Sequence, residues 1–168
     1  MGQNSPMPES SKNIEKDEPK RAAEGAAGAE AAAEPLDERL AVALHAAADK
    51  KALGAVVLDL REVASFTDYF AIVSGTNVRQ VQAIADEVVE QVRKRHGSKP
   101  ARIEGYNSAE WVLLDYGDFI FHVFEEKSRR FYDLERLWRD AMRVPLPPEL
   151  SGADAGGASG GGSLRNGQ

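Results

Sequence analysis

Between Leu36 and Val144 the apolar residues change their spacing several times, and each change marks an element. Leu36, Leu40, Ala43, Leu44 and Ala47 recur at intervals of three and four behind Pro35, a residue suited to the first turn of a helix, and Gly54 closes the pattern. Two short runs follow, Ala55-Val56-Val57-Leu58-Asp59-Leu60 and Tyr69-Phe70-Ala71-Ile72-Val73, apolar and rich in β-branched or aromatic residues as strands covered on both faces are. Ser65-Phe66-Thr67-Asp68 between them supplies turn chemistry. Val78, Val81, Ala85, Val88 and Val92, widened by Ile84 and Val89, form the stripe of a second helix. Asn77 and Gln80 open it as a capping box would, and Arg93, Lys94, Arg95 and His96 before Gly97 suit the negative end of its dipole.

Three further strands are predicted at Arg102-Ile103-Glu104, Trp111-Val112-Leu113-Leu114 and Phe119 to Phe124, the last two joined through Asp115-Tyr116-Gly117-Asp118 as a hairpin. A final helix opens near Ser128 and runs through Phe131, Leu134, Leu137, Trp138 and Ala141 until Pro145 stops it. The order predicts an α/β domain with a mixed sheet of about five strands, helices packed on it and an antiparallel last pair.

Composition sets the borders of this domain. Residues 1–35 contain no aromatic residue and are dominated by Ala, Glu, Gly, Pro and Ser, too little apolar area to offset chain entropy, so a disordered extension is expected there. The folded domain is expected over residues 36–146 and a flexible Gly-rich tail over 147–168. Of the net charge of -6, residues 1–35 contribute 4 basic and 7 acidic side chains. The domain itself is therefore only mildly acidic, which predicts little direct contact with nucleic acid and favours a basic protein as partner. There is no cysteine, so disulfide, thiol and cysteine-zinc chemistry are excluded. No apolar run approaches a membrane span and no hydrophobic signal segment opens the chain, so no membrane contact and a cytoplasmic location are expected. Ala22 to Ala33 is Ala-rich like a transit peptide but acidic where such peptides avoid acids.

Candidate chemistry is sparse. Ser74-Gly75-Thr76, between a strand and a helix with Arg79 one turn inside, can present backbone N–H groups to a phosphate, or it can simply be a tight turn and a cap. A Ser-Gly turn of this kind also resembles the opening of the helix in the nucleotidyltransferase fold, whose carboxylates stand in a closely spaced pair on the following strands. No Asp-x-Asp pair occurs in the domain, and Asp115 and Asp118 flank the presumed hairpin turn. The three histidines have no paired metal-ligand spacing, and His122, alternating with Ile120 and Phe124, reads as a half-buried sheet residue. No catalytic residue, cofactor site or metal site is assigned.

Strand alternation puts Trp111, Leu113 and Asp115 on one face and Val112 and Leu114 on the other. If the first face is open, Tyr106, Trp111 and Leu113 bordered by Glu104 and Glu110 make an apolar centre with an acidic rim, the composition of a patch for a basic protein; ordinary core is the alternative for Trp111.

At these residues the sequence resembles the Iojap-like ribosomal silencing factors. The resemblance runs through Asp59, Thr67-Asp68-Tyr69-Phe70, Ser74-Gly75-Thr76 with Arg79, Val81 and Ile84-Ala85-Asp86, then Glu104-Gly105, Asn107-Ser108-Ala109-Glu110-Trp111, Leu114-Asp115-Tyr116-Gly117-Asp118, His122-Val123-Phe124 and Ser128 to Trp138. It implies a nucleotidyltransferase-like sheet without the catalytic carboxylates, and a regulator that is not an enzyme. It further implies docking on the large ribosomal subunit through ribosomal protein L14, hindering subunit joining and lowering translation when nutrients are short. Carried over by position, the docking surface comprises Trp111 as anchor, Tyr106, Asn107, Glu110 and Leu113 around it, and Glu104, Asp115 and Asp118 facing the partner's cations. Two rivals remain: a degenerate nucleotidyltransferase or phosphate-binding enzyme, and a homodimer formed through the sheet or the Trp111 face.

Overall fold

The computed structural model describes residues 36–151. The expectations of a disordered extension over 1–35 and of a flexible tail beyond Ser151 lie outside the described residues.

Helix α1 spans Glu38–Asp49, and Asp37 caps it by accepting the Arg39 backbone N–H at 2.8 Å. Strands β1 (Leu53–Asp59) and β2 (Tyr69–Gly75) run antiparallel, with a register shift beside Gly54, whose φ is +56°. Helix α2 (Val78–His96) ends at Gly97 in the left-handed conformation, and its buried stripe is Val81, Ile84, Ala85, Val88 and Val92, whereas Val78, expected to open the stripe, stands exposed in the first turn and Val89 is half-buried. Strands β3 (Arg102–Glu104), β4 (Trp111–Asp115) and β5 (Phe119–Glu125) form an antiparallel meander, and β5 returns to lie parallel beside β2.

The predicted last helix is broken. Helix α3 covers Glu126–Tyr132, Asp133 takes a left-handed φ of +49°, and α4 covers only Leu134–Leu137. A two-residue strand, β6 (Met142–Arg143), then pairs antiparallel with β1, so the sheet has six strands in the order β3-β4-β5-β2-β1-β6. Order also extends past the boundary drawn at residue 146. Helix α5 (Pro148–Ser151) inserts Leu150 into the core at 5% exposure, so the tail cannot begin at 147.

Strand alternation divides the core in two. On one side Val57, Ala71, Val73, Val112, Leu114, Phe119, Phe121 and Val123 pack against α1 and α2. On the other, Leu58, Phe70, Ile72, Ile120 and Phe124 are met by the β1–β2 connection, through Leu60, Ala64 and Phe66, and by the short C-terminal segment, through Leu134, Trp138 and Ala141. Fully burying one large apolar side chain contributes about 2 kcal/mol. The first side therefore supplies most of the stability, and the second leaves a sheet face only partly covered.

Candidate functional site

That second face carries the candidate site. Cross-strand pairing sets Trp111 opposite Phe124 and Leu113 opposite His122, so all four side chains share it. The rings form an unbroken row. Phe66 meets Phe70 and Trp138 at centroid distances of 6.1 and 5.9 Å, and Phe70 meets His122 edge-on at 4.5 Å. His122 is followed by Trp111 at 5.9 Å, Trp111 lies 4.8 Å from both Phe124 and Tyr132, and Tyr132 meets Phe131 at 5.0 Å. Such pairs favour offset or edge-to-face geometry and add about 0.5–1.5 kcal/mol each beyond area burial. The middle of the row is sunk into the sheet, while its ends stand in solvent: Phe66 is 58% exposed, Tyr132 47% and Phe131 79%.

Trp111 is thus neither plain core nor an open anchor. It is half-buried, and its indole Nε1–H donates to His122 Nδ1 at 3.0 Å. Because an indole nitrogen can only donate, Nδ1 must accept, which leaves the proton of the neutral ring on Nε2. That atom is buried with no partner among the described residues, and burial pushes the His122 pKa down to about 3. The expectation of a half-buried His122 is corrected here, since the residue is only 2% exposed. A neutral, desolvated imidazole locked to an indole serves packing and has no route to act as a base on an external substrate.

The eight residues expected to form the docking surface do not all meet. Trp111, Leu113, Glu104 and Asp115 share the ring-bearing face, with Glu104 opposite Leu113 and Arg102 opposite Asp115. Asn107 and Glu110 are exposed beside the start of β4. Tyr106, however, belongs to the helix side: its hydroxyl donates to Asp86 on α2 at 2.8 Å, and it lines a shallow hollow with Ala85, Val89, Ile103 and Leu114. Asp118 sits in the β4–β5 turn, bound by Arg39 of α1 at 2.9 Å. The acidic rim is also partly offset from within, because Arg102 bridges Glu104 at 2.7 Å and Asp115 at 3.1 Å. Phe66, Phe131, Tyr132 and Trp138, which sequence reasoning did not place at the site, complete it. For the last three the signal was the density of aromatic residues within Phe131 to Trp138, which a single helical period disguised, while Phe66 stood within a segment read as a turn.

The Ser74-Gly75-Thr76 turn has its donors occupied. Gln80 Oε1 accepts the Thr76 N–H at 2.7 Å and the Thr76 hydroxyl at 3.1 Å, while Gln80 Nε2 donates to the carbonyls of Lys50 and Lys51. Ser74 is buried and its hydroxyl accepts from Arg129 Nη1 at 3.2 Å. Gly75 leaves room for this approach, since a Cβ there would lie 3.2 Å from Gln80 Oε1 and press on it. Among the described residues no group of three or more His, Asp or Glu is placed to hold a metal ion, and no helix is long and apolar enough to cross a membrane.

Arg129 fastens the short C-terminal segment across the sheet. Its guanidinium donates to Glu135 through Nε at 3.2 Å and Nη2 at 3.0 Å, and to the carbonyls of Gly54 at 2.8 Å and Leu53 at 3.4 Å. This planar fork saturates five donors on three elements and so fixes where Tyr132 and Trp138 meet the rings.

Comparison with known proteins places this architecture. Residues 33–160 match the family model described as ribosomal silencing factor during starvation. The chain is similar to the ribosomal silencing factor RsfS of Halalkalibacterium halodurans, 42% identical over 114 residues that cover 68% of this chain and 97% of the relative. It is also similar to that of Bacillus subtilis, 41% identical over 107 residues that cover 64% and 90%. A mouse protein named mitochondrial assembly of ribosomal large subunit protein 1 is 33% identical over 75 residues, which cover 44% of this chain and 33% of that protein. Among solved structures, a Bacillus halodurans protein superposes with a TM-score of 0.57 at 41% identity, covering 65% of this chain and 98% of its own. One from Chromobacterium violaceum gives 0.59 at 32% identity, covering 74% and 97%. With the family model spanning the whole described domain and the two bacterial relatives matched over nearly their full lengths, the chain belongs to the ribosomal silencing factor family.

Proposed function

We propose that this protein docks on the large ribosomal subunit through the ring-bearing sheet face, with ribosomal protein L14 as the immediate partner, and that it lowers translation by standing in the way of the small subunit. The carrying observation is the aromatic row that is rigid at its centre, around Trp111, and exposed at Phe131 and Tyr132. Large rings on a stiff support concentrate binding energy at little entropic cost. Because Glu104 and Asp115 already hold Arg102, a cation of the partner would replace an existing ion pair at roughly even energy. Apolar contact, with Glu110 and Asn107 at its margin, then supplies most of the affinity. A domain seated at the subunit interface acts by occupancy, so the reading requires no catalytic group and is that of a regulator.

Co-sedimentation with purified large subunits tests this. Replacing exposed anchors costs about 2 kcal/mol or more, so the double variant Phe131→Ala/Tyr132→Ala is expected to bind at least about thirtyfold more weakly while remaining folded, with an unfolding temperature lowered by the loss of the Trp111–Tyr132 contact. Wild-type affinity in that folded variant contradicts the assignment of the face, and failure of the unaltered protein to sediment contradicts the docking itself.

A further inference from the structure

The last turn of α2 bears a concentration of positive charge that the docking face does not use. Residues 36–151 carry 16 Lys and Arg against 19 Asp and Glu, yet residues 90–102 carry five against one. Arg93, Lys94, Arg95 and His96 are consecutive and exposed, and Lys99 is exposed just beyond Gly97. Glu90 pairs with Arg93 at 3.1 Å and reaches Lys94 at 3.9 Å. Arg95 and Lys99 have no carboxylate partner among the described residues.

A helix dipole amounts to about half a charge, so one cation suffices to offset it, and Arg93, Lys94 and Arg95 in a single turn with Lys99 just beyond are in excess. Resting on the ribosomal reading, we infer that Arg93, Lys94, Arg95 and Lys99 at the end of α2 form a second contact with the large subunit, made to the phosphate backbone of its RNA. Protein interfaces have an apolar centre, and the turn from Arg93 to Lys99 exposes none. Exposed point charges on flexible stems, without aromatic rings among them, match contacts that position a protein on a nucleic acid without reading bases. The patch lies at the end of the sheet where β3 begins and β4 finishes, as the bond from Ala101 N–H to Asp115 O shows, whereas Trp111 opens β4 at the other end. Two contacts at opposite ends of one strand would fix the orientation of a small domain on the subunit. The expectation of little nucleic-acid contact came from net charge, which averages this pole away.

The test measures binding of the full chain to purified large subunits from about 50 to 200 mM salt, comparing the unaltered protein with Arg95→Gln/Lys99→Gln. Each lost phosphate contact lowers the slope of log affinity against log salt by about one, so the double variant should lose about two while unfolding at the same temperature. An unchanged slope overturns the inference. The chain has no cysteine, so His96→Cys offers a unique attachment point for a photocrosslinker. Adducts with ribosomal RNA are expected, and adducts confined to ribosomal proteins overturn the RNA assignment while leaving the docking reading standing. If the unaltered protein does not bind the subunit at all, both fall.

Discussion

His122 and Trp111 show how one hydrogen bond couples stability to the site. Unfolded, a histidine takes up a proton below about pH 6.5, whereas the buried His122 resists protonation down to about 3. Between those values the unfolded chain binds more protons, so stability is complete above pH 6.5 and declines as the pH falls toward 3. Urea unfolding at pH 7 and pH 5 should show the protein losing of order 1–2 kcal/mol more than His122→Gln, since exposed His45 and His96 are common to both. Equal losses would mean that His122 is not held neutral by the fold. The sequence showed the alternation that puts Trp111 and Leu113 on one face, because a period of two is local. That Trp111 ties to His122 eleven residues away, and that Tyr106 turns to Asp86, depended on tertiary partners that no local spacing reveals.

At the scale of elements, α1, α2 and the central strands were legible because each buries a full stripe or run. The C-terminal segment was not. Phe131, Leu134, Leu137, Trp138 and Ala141 keep helical spacing straight across the left-handed Asp133, and no Gly or Pro marks the break. A two-residue β6 is likewise too short to show alternation. Since a left-handed residue with a side chain is strained relative to glycine, Asp133→Gly should raise stability by about 0.5–1 kcal/mol, and a loss on thermal unfolding would contradict this account of the break. Arg129→Met should do the opposite. It leaves Glu135 with only the longer Arg143 contact at 3.7 Å and takes a donor from Leu53, Gly54 and Ser74, with an expected cost of about 2 kcal/mol and a looser Tyr132, readable as faster amide exchange in α3. Unaltered exchange there would show that Arg129 is not what fastens the segment.

For the whole molecule, the two sheet faces divide the labour. Helices α1 and α2 close one face and supply stability, which frees the other to remain half-covered and to expose the ends of its aromatic row. The charge distribution adds a positive pole at the far end of α2. Family membership agrees with a surface built for a large partner, and the Ser74-Gly75-Thr76 turn, its groups bound by Gln80 and Arg129, works as a structural joint between β2 and α2. The most direct measurement mixes purified large subunits with excess protein, adds small subunits and magnesium, and follows the joined fraction by light scattering. The account predicts that the protein lowers the joined fraction and that Phe131→Ala/Tyr132→Ala restores it. A joined fraction unaffected by protein that remains bound to the large subunit would contradict it.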